Sequence, residues 1–233
     1  MAPMRALLIT GQPSSGKTTL IKRLMELAPA ISELPISGFV TDEVLAGGSR
    51  VGFDVVSVGV TPVRRGPLAR KGMKSSAKTG AYGVDVEGFE RIALPLLSEG
   101  GGGEGGGSRI VIIDEIGRME MHCPGFEATV RRLLETDGVL LIGSVAAPRY
   151  GHVVPLAEEI KARSDVMTLH LKPSTRDEVT AEAEKQIRQL LTAGGAKDGG
   201  CAKQQRQRQE KETKTTAESI DGAATSAQKR MRL

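Results

Sequence analysis

Two stretches of the 233-residue chain combine residue types and spacings that can do chemistry. The first is Gly11-Gln12-Pro13-Ser14-Ser15-Gly16-Lys17-Thr18, followed by Thr19. It follows the apolar run Ala6-Leu7-Leu8-Ile9 and opens into Leu20-Ile21-Lys22-Arg23-Leu24-Met25, where apolar residues recur at helical spacing. Strand, glycine-rich turn and helix start, in that order, make a phosphate-binding loop. The glycines let backbone N–H groups point into one concavity, and the helix start adds partial positive charge. Lys17 can reach β- and γ-phosphates, and the Thr18 hydroxyl suits Mg2+. The pattern predicts a site for a nucleoside triphosphate.

The second stretch is Arg109-Ile110-Val111-Ile112-Ile113-Asp114-Glu115, an apolar strand ending in two carboxylates. Ligands bind at the carboxyl ends of parallel strands. Asp114 is therefore the natural partner of the Mg2+ that Thr18 holds, directly or through water. Glu115 points elsewhere and can orient or deprotonate a water at the γ-phosphate. Charge spreading over the γ-phosphoryl oxygens calls for a further positive group, for which Arg64, Arg65, Arg70 and Arg118 are candidates. Ser144, at the end of the next apolar run, reads equally as a γ-phosphate or water sensor and as a turn residue. His122, His152 and His170 are dispersed, and His122-Cys123 lacks metal-ligand spacing, so no structural metal site is expected.

The elements that must position these residues alternate. A strand at 5–10 is followed by a helix from Lys17 to about Leu27, stopped before Pro29. Two β-rich runs flanking Ala46-Gly47-Gly48-Ser49 predict a hairpin over 36–58. Segment 61–83 holds prolines, glycines and six Lys/Arg, and reads as a loop over the site. Asp85 to about Ser98 has helical spacing, with Pro95 expected to bend or shorten the helix. Residues 100–108 are nearly all glycine, a flexible insertion. After the Asp114 strand come a helix over Phe126–Glu135, a strand over Val139–Gly143, a short helix over Pro155–Arg163 and a strand over Val166–Leu171. Thr175-Arg176-Asp177-Glu178 reads as a capping box opening a helix to about Leu191. Alternating strands and helices predict an α/β fold, a mostly parallel sheet with helices on both faces. The folded domain is expected over 1–193, with a disordered polar tail over 194–233.

Composition narrows the class. Hydrophobic residues make up 39% and aromatics only 3%, so aliphatic side chains must build the core. No apolar run approaches the ~20 residues of a membrane span. The apolar N-terminal run feeds into the phosphate loop without a signal-peptide layout, and two cysteines suggest no disulfide framework. An intracellular, cytoplasmic, monomeric protein is the expectation. Residues 196–233 carry nine Lys/Arg against five Asp/Glu, the whole of the chain's +4 excess. The remainder is formally neutral, so a basic nucleic-acid footprint is not indicated.

Further motifs sharpen the reading: Gly38-Phe39-Val40-Thr41-Asp42-Glu43-Val44, Arg50-Val51-Gly52-Phe53-Asp54-Val55-Val56, Arg65-Gly66-Pro67-Leu68-Ala69-Arg70 and Gly80-Ala81-Tyr82-Gly83-Val84-Asp85. To these add Val111-Ile112-Ile113-Asp114-Glu115-Ile116-Gly117-Arg118-Met119-Glu120. With the Gly11–Thr19 loop, they resemble the P-loop nucleoside-triphosphatases that include the cancer-related nucleoside-triphosphatase and its thermophile relatives. The resemblance covers about residues 5–190. It implies a three-layer RecA-like sheet in which the Asp114 strand lies next to a third strand, Mg2+-dependent hydrolysis, and tolerance for ATP, GTP, CTP and UTP alike. It assigns Gly11 to Thr19 to the nucleotide, Thr18 and Asp114 to Mg2+, and Lys17 and Glu115 to catalysis. Arg118 stands where a lysine is more common, keeping the charge with a different geometry.

Two rival functions share the loop. A regulatory GTPase would match Asp114-Glu115-Ile116-Gly117, but the guanine-reading Asn-Lys-x-Asp motif is impossible in a chain without asparagine. A nucleotide or small-molecule kinase could use the basic 64–78 segment as a lid or acceptor site. Glu115 favours hydrolysis, because a kinase needs no activated water.

Overall fold

The structure, a computed structural model, describes residues 3–98, 108–148 and 151–198. Strands β1 (Ala6–Gly11), β2 (Ile36–Ala46), β3 (Ser49–Val58) and β4 (Arg65–Lys71) are followed by the short β5 (Lys78–Thr79) and β6 (Tyr82–Val84). Then come β7 (Arg109–Ile116), β8 (Val139–Ala146) and β9 (Val166–His170). The helices are α1 (Lys17–Leu27), α2 (Val86–Ser98), α3 (Pro124–Glu135), α4 (Pro155–Lys161) and α5 (Arg176–Asp198). One sheet holds all nine strands in the order β5-β6-β4-β3-β2-β7-β8-β1-β9.

The half of the sheet from β2 to β9 is parallel. Its strands are aliphatic on both sides because both faces are covered. In β7, Val111 and Ile113 join a core layer with Phe89 and Leu96 of α2, Phe126 of α3 and Leu156 of α4. The alternate residues Ile110 and Ile112 join a second layer with Leu20 and Leu24 of α1 and Ile187 of α5. Strand β8 lies between β1 and β7, so the phosphate loop and the Asp114 strand flank a common neighbour.

The other half is antiparallel, and it corrects the reading of 61–83 as a loop. Strand β2 turns at Gly47-Gly48 into β3, which pairs with β4, and β4 pairs with β6. The charge-rich composition of 64–78 conceals two apolar anchors: Leu68 and Ala69 are buried in the α2-side layer, as is Val84 of β6, while the basic residues project from the strand. Asp85 caps α2, its Oδ1 accepting from the Gly88 N–H at 2.9 Å. That helix continues through Pro95 to Ser98, held by the buried Leu96 and Leu97 rather than shortened. Helix α5 is opened by a 3-10 turn at Pro173–Thr175, whose Thr175 hydroxyl accepts from the Lys172 N–H. It extends past the expected end at Leu191 to Asp198, across Gly194-Gly195. A compact unit spans Met1–Leu191. The glycine-rich stretch up to Gly107 and the tail beyond Asp198 lie outside the described residues. Among the described residues no helix is long and apolar enough to cross a membrane.

Three of the four phenylalanines meet under the parallel strands. Phe39 contacts Phe89 edge-on at 5.3 Å and Phe126 at 6.2 Å, and Phe89 meets Phe126 at 5.6 Å. Truncating one of them leaves a cavity that its two fully buried partners cannot fill. Phe89→Ala is expected to cost about 3–5 kcal/mol in denaturant unfolding. A loss below ~1 kcal/mol would show that this cluster does not anchor α2 and α3 on the sheet.

Candidate active site

The loop between β1 and α1 is a tight turn, with the Ser15 N–H donating to the Gln12 carbonyl at 3.2 Å. Gly16, at φ +103°, takes a left-handed conformation that favours glycine and starts α1. Ser14 also has a positive φ, 65°. Lys17 is buried and folds back over the loop, Nζ donating to the Gly11 carbonyl at 2.9 Å and the Gln12 carbonyl at 3.5 Å. Ser15 is buried with no hydrogen-bond partner for its hydroxyl. Gln12, Pro13, Ser14 and Thr19 are exposed, and Thr18 is half-buried at the head of the helix.

Asp114 is 1% exposed. Its Oδ2 accepts from the Thr41 N–H at 3.1 Å and the Thr41 hydroxyl at 2.7 Å, while Oδ1 has no hydrogen-bond partner. Burial pushes its pKa up to about 6, against the opposing effect of hydrogen bonding from Thr41 and Thr18. The Thr18 hydroxyl lies near enough to the Asp114 carboxyl to oppose that rise. A buried, unpaired carboxylate oxygen beside a hydroxyl is a hard-oxygen pair that fits Mg2+. Ser144, fully buried, donates its hydroxyl to the Asp114 carbonyl at 2.9 Å. That bond orients the end of β7, and it is where the structure uses the side chain.

Glu115 is half-buried, and beside it stands an acid that the sequence reading left without a role. Glu120 is 4% exposed. Burial pushes its pKa up to about 8, with the charges of Glu115 and Asp114 adding to the rise. A Cβ on Gly117 would stand 2.9 Å from Glu120 Oε2 and 3.0 Å from Glu115 Cγ. The bare glycine lets both acidic side chains close over one backbone position. A 3-10 turn at Glu120–His122 buries Glu120.

Two of the four candidate arginines are committed to ion pairs within the sheet. Arg65 bridges Asp42 at 2.9 Å and Asp54 at 2.7 Å, Arg70 pairs with Asp54, and Lys22 of α1 meets Asp42 at 2.6 Å. Arg64 is exposed, its N–H donating to the Ser57 hydroxyl. The 64–78 segment is thus tied into the sheet rather than free to act as a lid. Arg118 is exposed at the turn following β7. Arg176, which carried no signal beyond its place in a helix start, lies at the phosphate loop, Nη2 donating to the Ser15 carbonyl at 3.1 Å.

The chain finds its counterpart in known proteins. The NTPase family model matches residues 6–183. The chain belongs to the NTPase family. The cancer-related nucleoside-triphosphatase of Homo sapiens is 40% identical over 178 residues, covering 74% of this chain and 91% of that one. The solution structure of a human cancer-related nucleoside triphosphatase superposes with a TM-score of 0.65 at 36% identity, over 81% of this chain and 98% of that one. The crystal structure of THEP1 from the hyperthermophile Aquifex aeolicus gives the same TM-score of 0.65 at 30% identity, over 80% and 98%. The family resemblance read from the motifs is borne out, and with it a place among nucleoside-triphosphate-hydrolysing enzymes.

In this NTPase the raised acids have a consequence for stability. Glu120 holds its proton up to about pH 8 when folded, against an ordinary value of 4.5. The folded state therefore binds the proton more tightly, and stability falls as pH rises from about 4.5 to about 8. Asp114, pushed up to about 6, adds to the lower part of that fall. In EDTA the melting temperature is expected to drop between pH 5 and pH 8, and to drop less in Glu120→Gln. Parallel pH profiles for the two proteins would show that Glu120 is not a buried neutral acid.

Proposed function

We propose that the protein hydrolyses the γ-phosphate of nucleoside triphosphates in a Mg2+-dependent reaction that tolerates ATP, GTP, CTP and UTP. The observation that carries this reading is the unpaired Oδ1 of buried Asp114, on a strand separated from the phosphate-loop strand by β8 alone. The names of the relatives, nucleoside-triphosphatases from human to thermophile, support it.

Thr18 and Asp114 would hold the ion, which when bound withdraws charge from the β- and γ-phosphate oxygens. The backbone of Gly11 to Thr19 cradles the phosphates, and Lys17 exchanges the Gly11 carbonyl for a phosphate oxygen. Glu115 takes a proton from the attacking water. The water oxygen bonds to the γ-phosphorus as the bond to the β–γ bridging oxygen breaks, and the nucleoside diphosphate leaves. Arg118 supplies positive charge to the γ-oxygens. Thr41 acts through Asp114: its two hydrogen bonds to Oδ2 leave Oδ1 directed at the ion. A kinase reading loses its main support with the lid.

Phosphate release from the purified protein with Mg2+ and each of the four nucleotides, with and without nucleoside-monophosphate acceptors, tests this. Comparable, acceptor-independent release is expected, and release that waits on one acceptor would overturn hydrolysis. Lys17→Ala should lose both nucleotide binding and turnover. Glu115→Gln should keep Mg-nucleotide but slow hydrolysis about 10²–10⁴-fold; normal turnover would remove that residue from the mechanism. Thr41→Val should raise the Mg2+ concentration for half-maximal rate about 10–100-fold. An unchanged requirement would separate Thr41 from the ion.

A further inference from the structure

The sheet order sets a direction for the nucleotide. Strand β1 lies between β8 and β9, with β7 beyond β8. Asp114, the acid proposed to hold Mg2+, stands near the end of β7 on the β8 side of the loop, so the γ-phosphate end points toward that side. The nucleoside must leave the loop on the other side, over the segment that joins β9 to α5. That segment is tied to β1 by the Leu171 N–H, which donates to the Thr10 carbonyl at 2.7 Å. Its residues Lys172, Pro173 and Ser174 are exposed, and it delivers Arg176 to the loop.

The guanidinium has a defined attitude there. Three of its atoms, Nε, Cζ and Nη2, stand 3.3, 3.6 and 3.6 Å from the point a Gly16 Cβ would occupy. These distances put the Nε–Cζ–Nη2 side of the guanidinium over Gly16. Its bond to the Ser15 carbonyl holds one edge, and the residue is otherwise exposed. The guanidinium is therefore held over the loop on one side while the residue stays exposed, on the flank where a nucleoside emerges.

We infer that Arg176 is a nucleoside-contacting residue: its exposed guanidinium, held over Gly16 by the Ser15 carbonyl, stacks on the base of a nucleotide whose phosphates occupy the loop. The inference rests on the loop's binding a nucleoside triphosphate. A planar cation attracts the π-face of any base and reads none of its edges. Stacking of this kind is indifferent to sequence for the same reason in single-strand-binding proteins. It supplies affinity without selecting among ATP, GTP, CTP and UTP.

The test is equilibrium binding to the full chain, with Mg2+, of the β,γ-imido analogues of ATP and GTP and of inorganic tripolyphosphate, which has no nucleoside. Arg176→Ala should weaken both analogues about tenfold and to a similar extent, with tripolyphosphate changed less than twofold. Arg176→Lys, which keeps the charge and loses the plane, should behave like the alanine variant toward the analogues. Tripolyphosphate weakened as much as the analogues would overturn the inference, since Arg176 would then act on the phosphates or the loop's shape. Unchanged analogue binding, or full rescue by lysine, would overturn it too. A parent protein that binds tripolyphosphate but no analogue would defeat this inference alone. One that binds neither would defeat the nucleotide-site reading beneath it.

Discussion

The site depends on a carboxylate kept out of water. Asp114 sits at the end of a strand buried on both faces, with one oxygen satisfied by Thr41 and the other unpaired. An unsatisfied buried acceptor costs ~1–3 kcal/mol, and the fold sustains that cost where the phosphate loop delivers Thr18. Three neighbouring strands cooperate: β2 supplies Thr41, β7 the acid, and β8 the Ser144 hydroxyl that holds the Asp114 carbonyl. Moving any one of them would turn Oδ1 away from the loop.

The acids are crowded and the cations near them are committed. Glu120 and Glu115 close over Gly117, and the charges of Glu115 and Asp114 raise the cost of ionising Glu120. Lys17 meanwhile spends its donors on the loop's own carbonyls. A phosphate chain bearing a divalent ion answers both conditions, since it brings acceptors to the ammonium and positive charge to the acids. The remaining charge near the hairpin is internally matched. Lys22, Asp42, Arg65, Asp54 and Arg70 form a chain of ion pairs linking α1 to β2, β3 and β4. Asp42 follows Thr41, so that chain braces the strand that orients Asp114.

Much of this was legible from residue order. The phosphate loop announces itself because phosphate binding demands glycine, lysine and a hydroxyl at fixed offsets in a few consecutive residues. The parallel strands announce themselves because burial on both faces demands unbroken aliphatic runs, as in Ile110 to Ile113. Where charge and apolar anchors mix, the reading failed: 64–78 looks like a basic loop, and only the burial of Leu68 and Ala69 makes it a strand. Pro95 predicts a bent or shortened helix, yet packing of Leu96 and Leu97 carries the helix through to Ser98.

By itself, then, the amino-acid sequence determined the local chemistry: which backbone turn would cradle phosphate, which strand would end in acids, and the alternation that makes an α/β sheet. These follow from short-range rules of backbone geometry and side-chain periodicity. Tertiary structure alone decided which distant residues meet. Thr41 reaches Asp114 across 73 positions, Arg176 reaches Ser15 across 161, and Glu120 loses its water to a turn that folds under β7. Strand order and burial emerge from packing the whole chain, and no local pattern encodes them.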